Sequence, residues 1–346
     1  MTTAKGANLP RTIAELDVWH AQTREEILEP DLPIIDAHHH MWDRPPQRYQ
    51  LDELMAEANA GHRIVATVFV EANAMYRPYG PEEMRPVGET EYVNGVAAAS
   101  ASGIYGPTRL CAGIVSYADL RLGSRVRPVL EAHIRAGGDR FRGIRQQVQF
   151  DDTLGSMAKK PTTKGMLMDP AFRAGFAELA PLGLTFDAFV YFHQLAEVAD
   201  IAKAFPETGI ILNHVGGPLG IGPYADKRVE VYQEWSAAIR ELAACPNVTV
   251  KVGGLGMTTY GFGFEHLGVP PLSETLANTW RPYVETCIDA FGPDRCMFES
   301  NFPVDKQSCS YVTLWNAFKR LTAGASADEK KALFSGTAAR VYRLAI

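Results

Sequence analysis

Cysteine is sparse and unpatterned. The five cysteines, Cys111, Cys245, Cys287, Cys296 and Cys309, stand at scattered spacings without a CxxC, which excludes a zinc ribbon and a disulfide scaffold. No run approaches the ~20 apolar residues of a membrane span. The opening MTTAKGANLP lacks the apolar stretch of a signal peptide. Lysine and arginine do not cluster with aromatics, and a net charge of −6 leaves no footprint for a polyanion. No G-x-S-x-G elbow and no convincing Cys–His arrangement is present, which disfavours Ser or Cys nucleophilic catalysis. Repeats and low-complexity segments are missing too. The expectation is a soluble, cytoplasmic protein with a small-molecule substrate and neither a nucleic-acid nor a membrane partner.

What is present is an ordinary globular balance, 46% hydrophobic and 21% charged. From Leu32 onward β-rich runs alternate with helical periodicity: PIIDAHHH, RIVATVFVEA, RLCAGIVSYA, FRGIRQQVQF, LTFDAFVY, GIILNHVG, NVTVKVGGL and CMFESN. Near-continuous apolar strands between helices imply a parallel sheet buried on both faces. Eight units fit a (β/α)8 TIM barrel better than an open doubly wound sheet. The first run is followed by DAHHHMWDRPPQ rather than by a G-x-G-x-x-G phosphate cradle. Residues 1–31 read as an N-terminal helical extension, with Thr12 and Glu15 at capping-box spacing, and 32–346 as the barrel. The extension could pack on a second subunit, in a homo-oligomer, as easily as on its own barrel. Long inserts at 72–92, 151–169 and 255–275 each follow a strand, which places them at the C-terminal mouth where barrel active sites lie.

DAHHHMWD is the most specific feature. Residues i and i+2 of a strand share a face, so His38 and His40 converge while His39 points away. Two neutral imidazoles make a good pair of ligands for Zn²⁺ or a similar ion. His214 ends the sixth run and suits a third ligand or a carbonyl polariser, and the plain alternative is a core histidine. His193, where the fifth run turns into its helix, reads as a ligand, a proton shuttle or a helix N-terminal residue. His20, His62, His133 and His266 fall in helical or loop contexts and read mostly as surface residues, with His266 and Glu265, in the long insert, the exceptions that could reach a ligand. Arg145 could bind a substrate carboxylate or form a strand-end ion pair. Glu71 closes the second run. Lys251, inside the seventh, is costly unless it is a site residue or pairs with a buried carboxylate. Tyr76 and Tyr191 could line the mouth.

The ordered set IIDAHHHMWD, FRGIRQ, HQL, NHVGGP, VKVGGL and MFESNFPVD resembles the amidohydrolase superfamily, in its branch of pyrone-dicarboxylate and sugar lactonases. The resemblance runs from about residue 32 to the C-terminus. It implies a (β/α)8 barrel, hydrolysis at a carbonyl, and metal ligation at His38, His40, His193 and His214. Where the superfamily ends its eighth strand with an aspartate that ligates metal and shuttles a proton, this chain has Asn301, and an amide cannot act as a general base. Glu299, two residues earlier, is the first candidate to replace it and Asp305, four residues later, the second. The resemblance leaves metal dependence open: one divalent ion, zinc foremost, or none.

The expected reaction is hydrolysis of a lactone or similar cyclic ester by water attack on a carbonyl. The alternatives are a metal-dependent non-oxidative decarboxylase of the same barrel family and a barrel that binds ligands without catalysis.

Overall fold

The computed structural model describes residues 11–45, 47–156, 158 and 160–345, so the first ten residues of the predicted extension lie outside the described residues. Among those described, the strands are β1 (Ile34–His39), β2 (Trp42–Arg44), β3 (Gln47–Tyr49), β4 (Ile64–Val70), β5 (Arg109–Ser116), β6 (Phe141–Gln147), β7 (Thr185–Phe189), β8 (Ile210–Leu212), β9 (Val248–Val252) and β10 (Cys296–Phe298). Eight of them pair in parallel in the order β1-β4-β5-β6-β7-β8-β9-β10. The last strand returns to the first: Asn301 N–H donates to the carbonyl of His38 at 2.8 Å and His40 N–H to that of Phe302 at 2.8 Å. This is the (β/α)8 barrel that the alternation of runs predicts. Each predicted run contains one barrel strand.

β2 and β3 form a small antiparallel hairpin just after β1. The sequence reading leaves it out, because proline at 45 and 46 marks a turn without marking the short strands around it. The first insert is also shorter than predicted, since a helix already begins at Val87.

Two apolar layers hold the barrel. The larger lies between strands and surrounding helices. The inner one fills the barrel with Ile35, Ala37, Val68, Ile211 and Met297, closed off by Ala338 of the C-terminal helix and by Tyr342 just after it. Every residue of β1 is buried, as a strand covered on both faces requires. A register irregularity between Asp36 and His39 turns both of these outward, Asp36 to Tyr311 and His39 to Thr67. Alternation alone would have put His38 on Asp36's face, so the bulge is what lets His38 reach the interior.

The extension's helix, α1 (Ile13–His20), is closed by the predicted capping box, with Glu15 N–H on Thr12 Oγ1 at 3.3 Å and Thr12 N–H on Glu15 Oε2 at 2.7 Å. It packs on its own barrel: the buried Trp19 donates its indole N–H to the carbonyl of Leu267 at 3.1 Å. Two histidines read as surface residues are buried, His133 at 0% exposure and His62 at 6%. No helix among the described residues is long and apolar enough to cross a membrane.

Candidate active site

At the C-terminal ends of the strands a cavity of about 870 Å³ opens, with His40, Glu71, Asn73 and Arg145 in its wall. Most of its remaining lining comes from the β2–β3 hairpin, the 255–275 insert, the loop after β10, and α1 with Arg11 just before it. His40 is anchored by its Nδ1, 2.9 Å from the carbonyl of Val70. A carbonyl only accepts, so this nitrogen carries the proton and Nε2 offers a lone pair, 3.2 Å from Nε2 of His38.

Behind this pair lies a fully buried row of charges. Glu299 Oε1 receives the backbone N–H of His214 at 3.1 Å and stands 2.7 Å from its ring Nδ1. Glu299 Oε2 is 3.0 Å from Nδ1 of His38, close enough for an ion pair but without hydrogen-bond geometry. Lys251 Nζ lies 3.2 Å from the same Nδ1 and 2.7 Å from Oδ2 of Asp187. Asp187 also accepts from Asn213 and from the hydroxyl of Tyr342. Lys251 therefore has both of its predicted roles in view, a buried carboxylate partner on one side and a site histidine on the other.

Burial first, then the nearby cations Lys251 and Arg145, pushes His38 well below the usual imidazole range; burial and then Arg145 do the same to His40, and burial, Arg145 and Lys251 to His214. These rings are neutral. Burial pushes the carboxyl of Glu299 up to about 8, against the opposing pull of Lys251 and of the His214 N–H. A carboxyl in this range can both take and return a proton near neutral pH.

The strand ends hold this geometry by backbone strain and by missing side chains. His214 and Asn301 sit at φ 53° and 55°, a region that non-glycine residues rarely occupy. A Cβ on Gly253 would come within 2.5 Å of Glu299 Cγ, and one on Gly254 within 2.4 Å of His214 Nδ1. The glycines of VGGLG are thus the space into which the acid and the imidazole fit.

Other predicted residues are placed as follows. Arg145 donates from Nε to Glu71 Oε1 at 2.9 Å and from Nη2 to the Glu71 carbonyl at 2.7 Å, with Nη1 3.3 Å from His38 Nε2. Of its two predicted roles, the structure shows the ion pair. Asn73 ties Glu71 Oε2 to the hydroxyl of Tyr76. Asn301 donates to Asp305 Oδ1 at 2.7 Å, and Asp305 Oδ2 accepts the N–H of Gly256 at 2.7 Å. Asp305 is therefore engaged by the loop, away from the histidine pair. Tyr191 is buried, with its hydroxyl on the carbonyl of Ser156 at 3.2 Å. His193 is not brought to the other three histidines. The chain tightens into a single turn at Phe192–Gln194, and the ring turns to the carbonyl of Phe150 at 2.9 Å. Asp187 is the site residue that the sequence reading passed over, and its signal was a lone acid inside the apolar strand TFDAF.

Two buried oxygens, Oε2 of Glu299 and Oδ1 of Asn301, have no hydrogen-bond partner among the described residues. The ligating atoms of His38, His214 and Glu299 lie within 4.8 Å of one another. The histidine pair has two self-consistent proton arrangements. Lys251 can donate to His38 Nδ1 while His38 Nε2–H donates to His40. Otherwise His38 keeps its proton on Nδ1, and the two Nε2 lone pairs then face each other across 3.2 Å. In the second arrangement the guanidinium of Arg145, with Nη1 3.3 Å from His38 Nε2, is a cation that already faces the pair. Neutral imidazoles beside a carboxylate with an open oxygen are a donor set that fits a divalent ion.

The sequence model of the amidohydrolase family matches residues 35–344. The chain belongs to the amidohydrolase family. It is 35% identical over 329 residues to the uncharacterized protein y4mH of Sinorhizobium fredii, covering 91% of this chain and 99% of that protein. It is 27% identical to an L-fucono-1,5-lactonase of Burkholderia multivorans, over 90% of this chain and 96% of the lactonase. The crystal structure of an amidohydrolase from Burkholderia multivorans with bound zinc superposes with a TM-score of 0.70 at 26% identity, over 90% of this chain and 99% of that one.

Proposed function

We propose that this amidohydrolase opens a lactone of a polyhydroxylated acid by adding water to the ring carbonyl, with Glu299 as the group that receives the proton and returns it to the leaving oxygen. The observation that carries this reading is the placement of Glu299, buried between His38 and His214 behind the pocket wall. His40 in that wall, His38 at 3.2 Å and Glu299 at a further 3.0 Å form a row from the pocket to the carboxylate. Glu71 holds Arg145 and so leaves the planar cation of the wall without a free face for a substrate carboxylate. Gln147, Thr258, Thr259 and Oε1 of Gln47 offer neutral donors and acceptors instead, which suits hydroxyl groups better than a second carboxylate. The similarity to an L-fucono-1,5-lactonase supports the same class.

His38, His214 and Glu299 would hold a divalent ion, with His40 beside them 3.2 Å from His38, and the zinc-bound relative supports this. Such an ion would act as a Lewis acid for the carbonyl and would lower the pKa of a bound water toward ~7. Around it, burial first and then Lys251 and Arg145 keep His38 and His214 neutral, and Gly253 and Gly254 leave room for the acid and the ring.

The test is acid release from a panel of sugar 1,5-lactones and aromatic-pathway lactones, run beside carbon dioxide release from aromatic carboxylates. Acid release from sugar lactones supports the reading. Carbon dioxide release without lactone opening would replace it with the decarboxylase.

A further inference from the structure

Two residues of the pocket wall, Arg11 and Glu15, come from outside the region that the family shares, 35–344. Their segment is fastened to the loops of the mouth. Arg11 donates its backbone N–H to Gln307 Oε1 at 3.0 Å, and its carbonyl accepts from Gln307 Nε2 at 2.9 Å and from Gln47 Nε2 at 3.0 Å. Its guanidinium donates to the carbonyls of Glu265 at 2.7 Å and Leu267 at 2.9 Å, and lies 4.1 Å over the ring of Trp19. One residue thus joins three separate parts of the mouth: the β2–β3 hairpin, the loop after β10 and the 255–275 insert. A tail draped on the surface would not exchange backbone hydrogen bonds in both directions with one loop amide.

The wall that results is polar. Arg11, Glu15, Glu265 and His266 all face the cavity that contains His40 and Arg145, yet they stand on loops and on α1, outside the barrel strands that carry the proposed chemistry. At about 870 Å³ the cavity lies in the upper part of the range for drug-sized ligands. That leaves room for more than one small ring. Resting on the lactonase reading above, we infer that the N-terminal segment is the outer wall of the substrate site and selects lactones that carry an extended hydroxylated substituent, of the size of a second sugar. Arg11 is a specificity residue in this account, acting on the part of the substrate remote from the carbonyl.

The experiment compares D-glucono-1,5-lactone with lactobiono-1,5-lactone, which adds a galactosyl group, in the full chain and in Arg11→Ala, with melting temperature as the control for folding. The full chain is expected to prefer the disaccharide lactone in kcat/KM, and Arg11→Ala to lower that preference about tenfold through KM, the loss of one charged contact. An unchanged preference in a folded Arg11→Ala, or no preference in the full chain, overturns the inference. If the full chain opens neither of these two, the panel above decides the lactonase reading, and calorimetry with the ring-opened acids decides the wall by itself. Tighter binding of lactobionate than of gluconate, lost in Arg11→Ala, supports the wall. Equal binding of the two acids contradicts it.

Discussion

Glu299 and His214 are joined twice, since the same carboxylate oxygen receives the backbone N–H of His214 at 3.1 Å and stands 2.7 Å from its ring Nδ1. That double contact requires His214 in its left-handed backbone conformation and an empty Cβ position at Gly254. Acid, imidazole and glycine come from three different strand ends, so the site depends on β8, β9 and β10 keeping their register.

Gly254→Ala tests this dependence. Gly254 has φ +65°, and an added methyl would meet the imidazole at 2.4 Å. The strain is expected to cost roughly 1–3 kcal/mol of stability, read from the urea midpoint. Bound metal, read by elemental analysis of the purified variant, should fall as well. Unchanged stability and metal content would mean that the glycine is not the space that the ring needs.

Lys251 and Asp187 form a fully buried ion pair at 2.7 Å. Lys251→Met leaves Asp187 in the barrel with only neutral partners, and breaking such a pair typically costs about 3–5 kcal/mol. The double variant Lys251→Met/Asp187→Asn removes the stranded charge and should regain much of that loss in the same denaturation series. A double variant no more stable than the single one would contradict the pairing.

His133 gives a pH dependence of stability away from the site. Its Nε2 donates to the carbonyl of Tyr117 at 3.1 Å and its Nδ1 pairs with Thr90 Oγ1 at 2.7 Å, an arrangement that suits the neutral ring. Burial, foremost, lowers its pKa from 6.5 to about 4. The folded state thus binds this proton less readily than the unfolded chain. The contribution is complete above pH 6.5 and disappears as pH falls through about 4. Its size is on the order of 3 kcal/mol. Unfolding free energy plotted against pH between 6.5 and 4 should fall less steeply in His133→Gln than in the parent chain, and equal slopes would refute the assignment.

The barrel was legible because its strands are buried on both faces, and this leaves apolar runs such as RIVATVFV that stand out between amphipathic helices. His38 and His40 were legible as a pair because their two-residue spacing survives the bulge beside them. Glu299 was legible as a candidate because it lies two residues before the vacated aspartate position. Less visible were residues whose meaning lies in tertiary partners. His133 repeats the apolar positions Val129 and Leu130 at spacings of four and three, so its periodicity already pointed inward, but the residue type suggested a surface. Asp187 is a single acid in an apolar strand, and Tyr342, its hydroxyl partner, is 155 residues away. His193 stood at a strand-to-helix junction, where one turn of backbone decides which way a ring faces, and no spacing rule reaches that far.

The central claim is that Glu299 has taken over the proton transfer that Asn301 cannot perform, while Asp305 only fixes the loop. The direct measurement is kcat on the best sugar 1,5-lactone for Glu299→Gln and Asp305→Asn, each checked for folding. The account predicts a loss of about 10²–10⁴-fold for Glu299→Gln, as for the removal of a general base, and a much smaller loss for Asp305→Asn. A Glu299→Gln enzyme that keeps its kcat, or an Asp305→Asn enzyme that loses more than it does, would contradict the account.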